Sequence, residues 1–471
     1  SMMDTLTEHI RLIRYITIHL ALNRAKLVQM PRLGRKKVTK MRFRLTKNER
    51  NWVLYDVGNS AFVLLVSTIM PIYFNYLAGN AGLSSADYMA YWGYAASIVT
   101  IIVAVLGPVM GTLADTKDFK KPVFTISMLA GAAGCICLGL ARQWVMFIII
   151  YIIAKTGFSC SLIFYDSMLT DITVDERMDN VSSHGFAWGY IGSCIPFAAC
   201  LVLVLGAGRI GISMETAMTV TFAVTAVWWI AMTIPLLKTY RQKYYAEKKK
   251  NAVKDSFARL GNTFKNVKQN KKVFVFLLAF FFYIDGVYTI IDMATAYGQA
   301  LGLDSTGLLM ALLVTQIVAF PCSIAFGRLS QKIKSERLII VCITAYFGIA
   351  VFAMFLHTQA QFWILAIVVG MFQGGIQALS RSYFTKIIPA GQSGEYFGLM
   401  DICGKGASFM GTTIVSVVSQ MTGNVSKGVG MIAALFVAGM VFFIYSLRVE
   451  PEKKEQREEL IKSKLAVTEE Y

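Results

Sequence analysis

Residues 91–115 read YWGYAASIVTIIVAVLGPVMGTLAD. Twenty-four positions pass before the first charge, Asp115. A helix that crosses a bilayer needs about 20 mostly apolar residues, so this run alone is long enough. Lipid offers no partner to a bare backbone group, which leaves helices or closed barrels. Barrel strands are about 10 residues long and alternate in polarity. This run is longer and does not alternate, so it predicts a membrane-spanning helix.

The same pattern recurs in both directions along the chain. Spans are predicted over 52–78, 88–114, 122–141, 144–168, 182–206, 214–236, 273–299, 304–328, 337–356, 360–385, 394–420 and 427–447. Turn residues separate them, as in Gly79-Asn80-Ala81-Gly82 and Thr422-Gly423-Asn424. Composition agrees: of 471 residues, 56% are hydrophobic and 16% charged, against about 25% charged in soluble domains. A soluble multi-domain enzyme and a disordered chain are both excluded. The fold class is an all-α polytopic membrane protein with twelve transmembrane helices.

The net charge of +18 sits in a few blocks between apolar runs. That is the pattern of a bilayer partner and not of a nucleic-acid one. Thirteen Lys and Arg precede the first span, and twelve lie in 238–272 against only Glu247 and Asp255. Loops of the opposite parity hold little beyond Arg142, Arg209 and Lys427. The positive-inside rule places both termini and the central linker in the cytoplasm. The expected organisation is a basic arm at 1–50, a six-helix half at 51–237, a basic linker at 238–272, a second half at 273–447 and a tail at 448–471. A faint repeat supports the division. Gly111-Thr112-Leu113-Ala114-Asp115 and Gly327-Arg328-Leu329-Ser330-Gln331 lie 216 positions apart, and Asp166-Ser167 and Arg381-Ser382 lie 215 apart. Parallel repeats of this kind build two-half transporters.

The arm has no continuous apolar core or cleavage site, so it is not read as a signal peptide. Ile10, Ile13, Ile16 and Leu20, beside Arg11 and Arg14, allow a lipid-surface helix, although Arg24 falls on its apolar face. The alternative is a frayed tail. Eight cysteines lie inside apolar runs with no paired spacing and read as reduced core residues. The sequence holds no metal cluster, phosphate-binding loop or nucleophile elbow. No enzyme activity, cofactor or metal is expected.

Gly107-Pro108-Val109-Met110-Gly111-Thr112-Leu113-Ala114-Asp115, with Lys117, Lys120 and Lys121, resembles the loop motif of the major facilitator superfamily. Its glycines allow close helix approach, and its Asp sits where it meets a cation or a helix N-terminus. Thr116, Asp118 and Phe119 depart from the motif. Leu54-Tyr55-Asp56-Val57-Gly58-Asn59-Ser60-Ala61-Phe62 resembles a signature of the autophagy-related vacuolar effluxer-like family, which has many bacterial members. Phe164-Tyr165-Asp166-Ser167-Met168-Leu169, Asp285-Gly286-Val287, the run Phe372–Ser382, and Glu395-Tyr396-Phe397-Gly398-Leu399 before Gly404-Lys405 are similar to further family segments. The matches span residues 51 to about 447. Val57-Gly58 and Asp401 depart from the family pattern. The resemblance implies a major facilitator fold in which helices one, four, seven and ten line a central cavity.

A charge at mid-membrane costs at least about 2.5 kcal/mol on insertion scales, so each requires a cavity, a partner or a task. Asp56, with Asn59, lies near the cytoplasmic end of span one; it reads as an ion or gate contact, or as a charge favoured by the helix dipole. Asp285 and Asp292 are seven residues apart on one face of span seven. The resemblance puts that face, with Tyr288, on the cavity wall, to bind an amine or relay a proton; an ion pair with another helix is the alternative. Lys155, deep in span four, suits a substrate carboxylate, a carboxylate of span seven or a structural pair. Gln373 and Gln377 share a face with Arg381 and suit a polar substrate or interhelix contacts. The repeat offset pairs Arg381 with Asp166 across the halves. Gly111, Asp115, Lys121, Asp401 and Lys405 complete the gating candidates, the last two also reading as a neutralised pair one turn apart. Gly185, Gly189, Gly192 and Pro196 mark tight packing in span five.

The combined expectation is a monomeric secondary transporter with alternating access. Its substrate is a small polar metabolite, with amino-acid efflux first among them and proton coupling through Asp285, Asp292 or Asp56. The resemblance supplies the efflux. Lys155 opposite Asp285 and Asp292 would suit a zwitterion. The short loops favour a bacterial plasma membrane over a vacuole. Movement of a lipid or amphipathic drug is the alternative within transport, and a transport-inactive sensor or scaffold the alternative from another class.

Overall fold

The computed structural model describes residues 43–83, 85–246 and 270–449. The side chains of 85–90, 295–296, 299–300, 305–306 and 405–409 lie outside that description. So do the expected surface helix around 10–20, most of the basic linker and the tail.

Twelve helical spans follow one another. The first half comprises α1 (Lys47–Asn80), α2 (Ser85–Ala114), α3 (Lys120–Leu140), α4 (Trp144–Ser167), α5 (Asp175–Gly206) and α6 (Met214–Thr239). The second comprises α7 (Lys271–Ala300), α8 (Ser305–Leu329), α9 (Ser335–Met354), α10 (Gln359–Ile387), α11 (Ser393–Thr422) and α12 (Val425–Arg448). Among the described residues, eleven helices are long and apolar enough by composition to cross a membrane. At 30 residues, α11 reaches about 45 Å and is long enough for the twelfth. An even number of spans puts Lys47 and Arg448 on one side of the molecule, called here the terminal side.

Local chemistry sets the ends. Thr46 and Glu49 form a reciprocal capping box at the start of α1, with bonds of 2.7 and 3.3 Å. Asp304 accepts the Gly307 N–H at 2.7 Å to open α8. Thr358 and Gln361 repeat the capping box at α10.

One irregularity faces the interior. Leu65–Ile69 of α1 is a π-helical segment. Pro71 follows it and has no N–H to give back to the preceding turn. The wider register absorbs that loss, and the Ser67 and Thr68 hydroxyls donate to Leu64 O. Such insertions concentrate at functional sites.

Each half has its own apolar packing. In the first, α1 lies against α5 and α6, and α3 against α4 and α6. In the second, α7 lies against α11 and α12, and α10 against α8 and α9. The halves meet where α2 crosses α11 and where α5 crosses α8 and α10. Cys135, Cys160, Cys200 and Cys342 are buried, but Cys137 is exposed on α3 and so is no core residue.

Candidate functional site

A cavity of about 810 Å³ lies between the halves. Helices α1, α2, α4 and α5 line it from one side and α7, α8, α10 and α11 from the other. On α1 the lining runs from Asp56 to Pro71, about 22 Å at 1.5 Å per residue. Its floor, toward the terminal side, carries Asp56, Asp166 and Arg381. Higher up, Lys155 of α4 and Asp292 of α7 line opposite halves, with Tyr288, Gln316, Gln373, Gln377 and Asp401. Phe158, Phe186, Phe197, Phe280, Phe397 and Trp92 supply an aromatic wall. The Lys155 ammonium sits 4.7 Å from the centre of the Phe158 ring.

Arg381 is the most heavily bonded group in the site. It leaves α10 and enters the other half. Its Nη1 donates to Asp166 Oδ1 at 2.9 Å, its Nη2 lies 3.4 Å from Asp56 Oδ2, and its Nε donates to Ser182 Oγ at 2.9 Å. A further bond of 3.0 Å reaches Ser182 O. Trp52 and Phe186 hold the guanidinium at 4.7 and 4.3 Å from their ring centres. Asp56 is satisfied in turn by the Tyr165 hydroxyl at 2.8 Å and the Asn59 amide at 3.2 Å. Gly185 leaves room for this pair: a Cβ there would meet Asp56 Oδ2 at 2.5 Å and Arg381 at 2.9 Å.

Two more contacts close the terminal side. Asp115, after α2, accepts the N–H groups of Gly394 and Glu395 at 2.8 and 2.9 Å. It therefore caps α11 from across the interface, where a helix N-terminus favours an anion. Gly111 backs directly onto Gly394, so that a Cβ would collide with its carbonyl. Buried Lys120 spans Asp115, Asp171 and Ser393 at 3.5, 3.6 and 2.9 Å. The start of the linker covers this cluster. Lys243 and Tyr244 N–H groups and the Tyr240 hydroxyl all donate to Asp171. Burial, then the Asp171 charge, pushes the Tyr240 hydroxyl well above its ordinary range, keeping it a donor. Asp179 of α5 makes the third contact, accepting Ser335, Ser382 and Lys386 at 2.6, 2.5 and 2.7 Å.

Several expected residues meet in this arrangement: Asp56, Asn59, Lys155, Asp166, Tyr288, Asp292, Gln373, Gln377, Arg381 and Asp401 all line the one cavity. The Asp166–Arg381 pairing suggested by the repeat offset is present. Asp285 is not on the cavity wall. It is fully buried and accepts the Gly411 N–H of α11 at 2.9 Å and the Thr289 hydroxyl at 3.2 Å. The seven-residue spacing put it beside Asp292, but at that level α11 covers the face and excludes the cavity. Lys121 is exposed; its neighbour Lys120 makes the buried contacts. The Lys405 side chain lies outside the described residues, which leaves its pairing with Asp401 undescribed.

Asp171, Asp179, Ser182, Trp52 and Phe186 were not singled out from sequence. The acids sit at helix ends, where a carboxylate is ordinary, and the rings look like any apolar residue. One signal was available for Asp179: Lys386 is a cation at the end of α10 that needs a partner on the facing half.

The solved structure of FucP, a major facilitator superfamily transporter in its outward conformation, superposes on this chain with a TM-score of 0.64 at 12% identity, covering 85% of this chain and 97% of that one. Twelve spans in two halves around a central cavity thus define the major facilitator fold. The match to the vacuole effluxer Atg22-like family covers residues 83–176 and 170–457, and the chain belongs to that family. An uncharacterized MFS-type transporter of Bacillus subtilis (strain 168), YxiO, is 43% identical over 407 residues, spanning 85% of this chain and 95% of that protein. Autophagy-related protein 22 of Saccharomyces cerevisiae (strain ATCC 204508 / S288c) is 22% identical over 476 residues, 82% of this chain and 89% of that protein.

Proposed function

We propose that this transporter moves small zwitterionic metabolites, amino acids first among them, out of the cytoplasm by alternating access. One observation carries the reading: Lys155 and Asp292 face a single cavity from opposite halves. A zwitterion bound between them would be held by one charge from each half. Its binding would therefore draw the halves together, which alternating access requires. Gln373 and Gln377 add neutral donors and acceptors on the same lining. Efflux is supported by the family's description as vacuole effluxer-like, a zwitterionic substrate such as an amino acid by the opposite charges of Lys155 and Asp292, and proton coupling by the carboxylates of the site.

The basic segments support a cytoplasmic terminal side. With that orientation the described state is closed to the cytoplasm, and the bacterial relative supports a plasma membrane. The aromatic wall favours a second reading, passage of an amphipathic or lipid-like compound.

A thermal-shift screen of the purified protein against amino acids, sugars, nucleosides and lysolipids tests both. An amino acid should raise the melting temperature, and Lys155→Ala and Asp292→Asn should each abolish that rise. Stabilisation by lysolipids alone would sink the zwitterion reading. Silence across the panel would favour a transport-inactive sensor.

A further inference from the structure

We infer that Asp285 is a proton-binding site outside the transport cavity, a carboxylic acid held in the joint between α7 and α11. It sits 14 residues into the 30-residue α7, near mid-membrane depth. Its side chain is fully buried. Its two oxygens differ sharply. Oδ1 accepts both available donors, the Gly411 N–H and the Thr289 hydroxyl. Oδ2 is buried with no hydrogen-bond partner. An ionised carboxylate shares its charge over both oxygens and needs donors on each. A carboxylic acid needs them only on its carbonyl oxygen, which is the pattern seen.

The surroundings point the same way. No ion pair among the described residues includes Asp285. The ionisable side chains on its own helix and on those packed against it include Tyr283, Tyr288 and Asp292 on α7, Tyr346 on α9, Tyr383 on α10, Asp401 and Cys403 on α11 and Lys427 on α12. None of these is bonded to it, and the Lys405 side chain lies outside the described residues. An isolated buried charge costs many times more than a buried hydroxyl without a partner, so such a group takes up a proton instead.

The position ties that proton to the transport cycle. Only a glycine fits at Gly411, because a Cβ would collide with Thr289 and Asp285. The base of the same helix is capped by Asp115 of the other half. When the terminal side opens, α11 loses that cap and is free to shift. A shift withdraws the Gly411 N–H and admits water, and the acid then releases its proton. The coupling of this proton to transport rests on the transporter reading; the proton site itself does not.

Infrared spectroscopy and melting of the purified full-length protein near neutral pH test the site without any substrate. The expected result is a carboxylic-acid carbonyl band in the wild type that is missing in Asp285→Asn. That variant, which keeps the acid's shape and neutrality, should melt within about 2 °C of wild type. An unchanged band in Asp285→Asn overturns the proposal. So does a large loss of stability in Asp285→Asn that Lys405→Met restores, because Asp285 would then be an ionised partner of Lys405. If Asp285→Asn fails to fold, Thr289→Val serves: loss of one donor to the carbonyl oxygen should shift the same band in frequency, and an unshifted band counts against the assignment.

Discussion

Arg381 shows how one side chain joins two tasks. It lines the floor of the cavity and bolts the halves together beneath it. Removing its charge leaves Asp56 and Asp166 facing each other without their cation. Stranding one partner of a buried pair costs about 3–5 kcal/mol, and that cost falls on the closed state. Arg381→Gln should therefore favour the state open on the terminal side. A cysteine placed at Ser183, buried beside Gly327 at the α5–α8 crossing, reports on it in a background without native cysteines. Labelling should be slow with Arg381 and at least tenfold faster with Gln. Equal rates would show that the bolt carries no weight.

Asp56 illustrates what burial changes. Its position near a helix start allows an ion or gate contact, or a charge favoured by the dipole. The tertiary contacts give it an arginine, a tyrosine hydroxyl and an amide. Asp285 moved the other way, from expected cavity wall to the interior of a helix joint.

At the scale of elements, closure depends on backbone meeting backbone where α2 crosses α11. Gly111 and Gly394 touch there, and Asp115 caps the helix. Gly111→Leu should hold these helices apart and block closure while leaving helical content unchanged. Circular dichroism checks the second point and labelling at Ser183 the first; a slowly labelled Gly111→Leu protein would refute the crossing's role. Asp115→Asn keeps an acceptor but loses the charge. It should weaken the cap by about 0.3–1 kcal/mol, giving faster labelling than wild type but slower than Gly111→Leu. The C-terminal counterpart of this loop carries Gln331 in place of the acid and is exposed. At that crossing Asp179 supplies the carboxylate from α5 instead. The repeat is therefore symmetric in its helices and asymmetric in its bolts.

At the scale of the molecule, all the described closing contacts lie toward the side of Lys47 and Arg448. The charge distribution supports a cytoplasmic assignment for that side, which makes a direct prediction. Tags on the termini and in the central linker should be protected from protease in intact cells and cleaved in inside-out vesicles. Cleavage in intact cells would reverse the orientation, and with it the direction in which the cavity faces.

Twelve apolar runs, their division by a basic linker and the family motifs were all legible in the chain, because lipid imposes a local rule: each span must be apolar and satisfy its own backbone. The rule acts on about 20 neighbouring residues, so it can be read without knowing what lies beside them. The charges inside the spans are legible as anomalies, which is why the six charged residues of the cavity, Asp56, Lys155, Asp166, Asp292, Arg381 and Asp401, stand out in the sequence while its apolar and aromatic lining does not. Their partners were not. Arg381 and Asp166 are 215 positions apart, Asp115 and Glu395 are 280 apart, and only the packing of one half on the other brings them together. Which of Lys120 and Lys121 is buried, and whether Asp285 faces a cavity or a helix, was decided by neighbours supplied from elsewhere in the chain. Helical periodicity gives a side chain its direction, but only tertiary structure determines what stands in that direction.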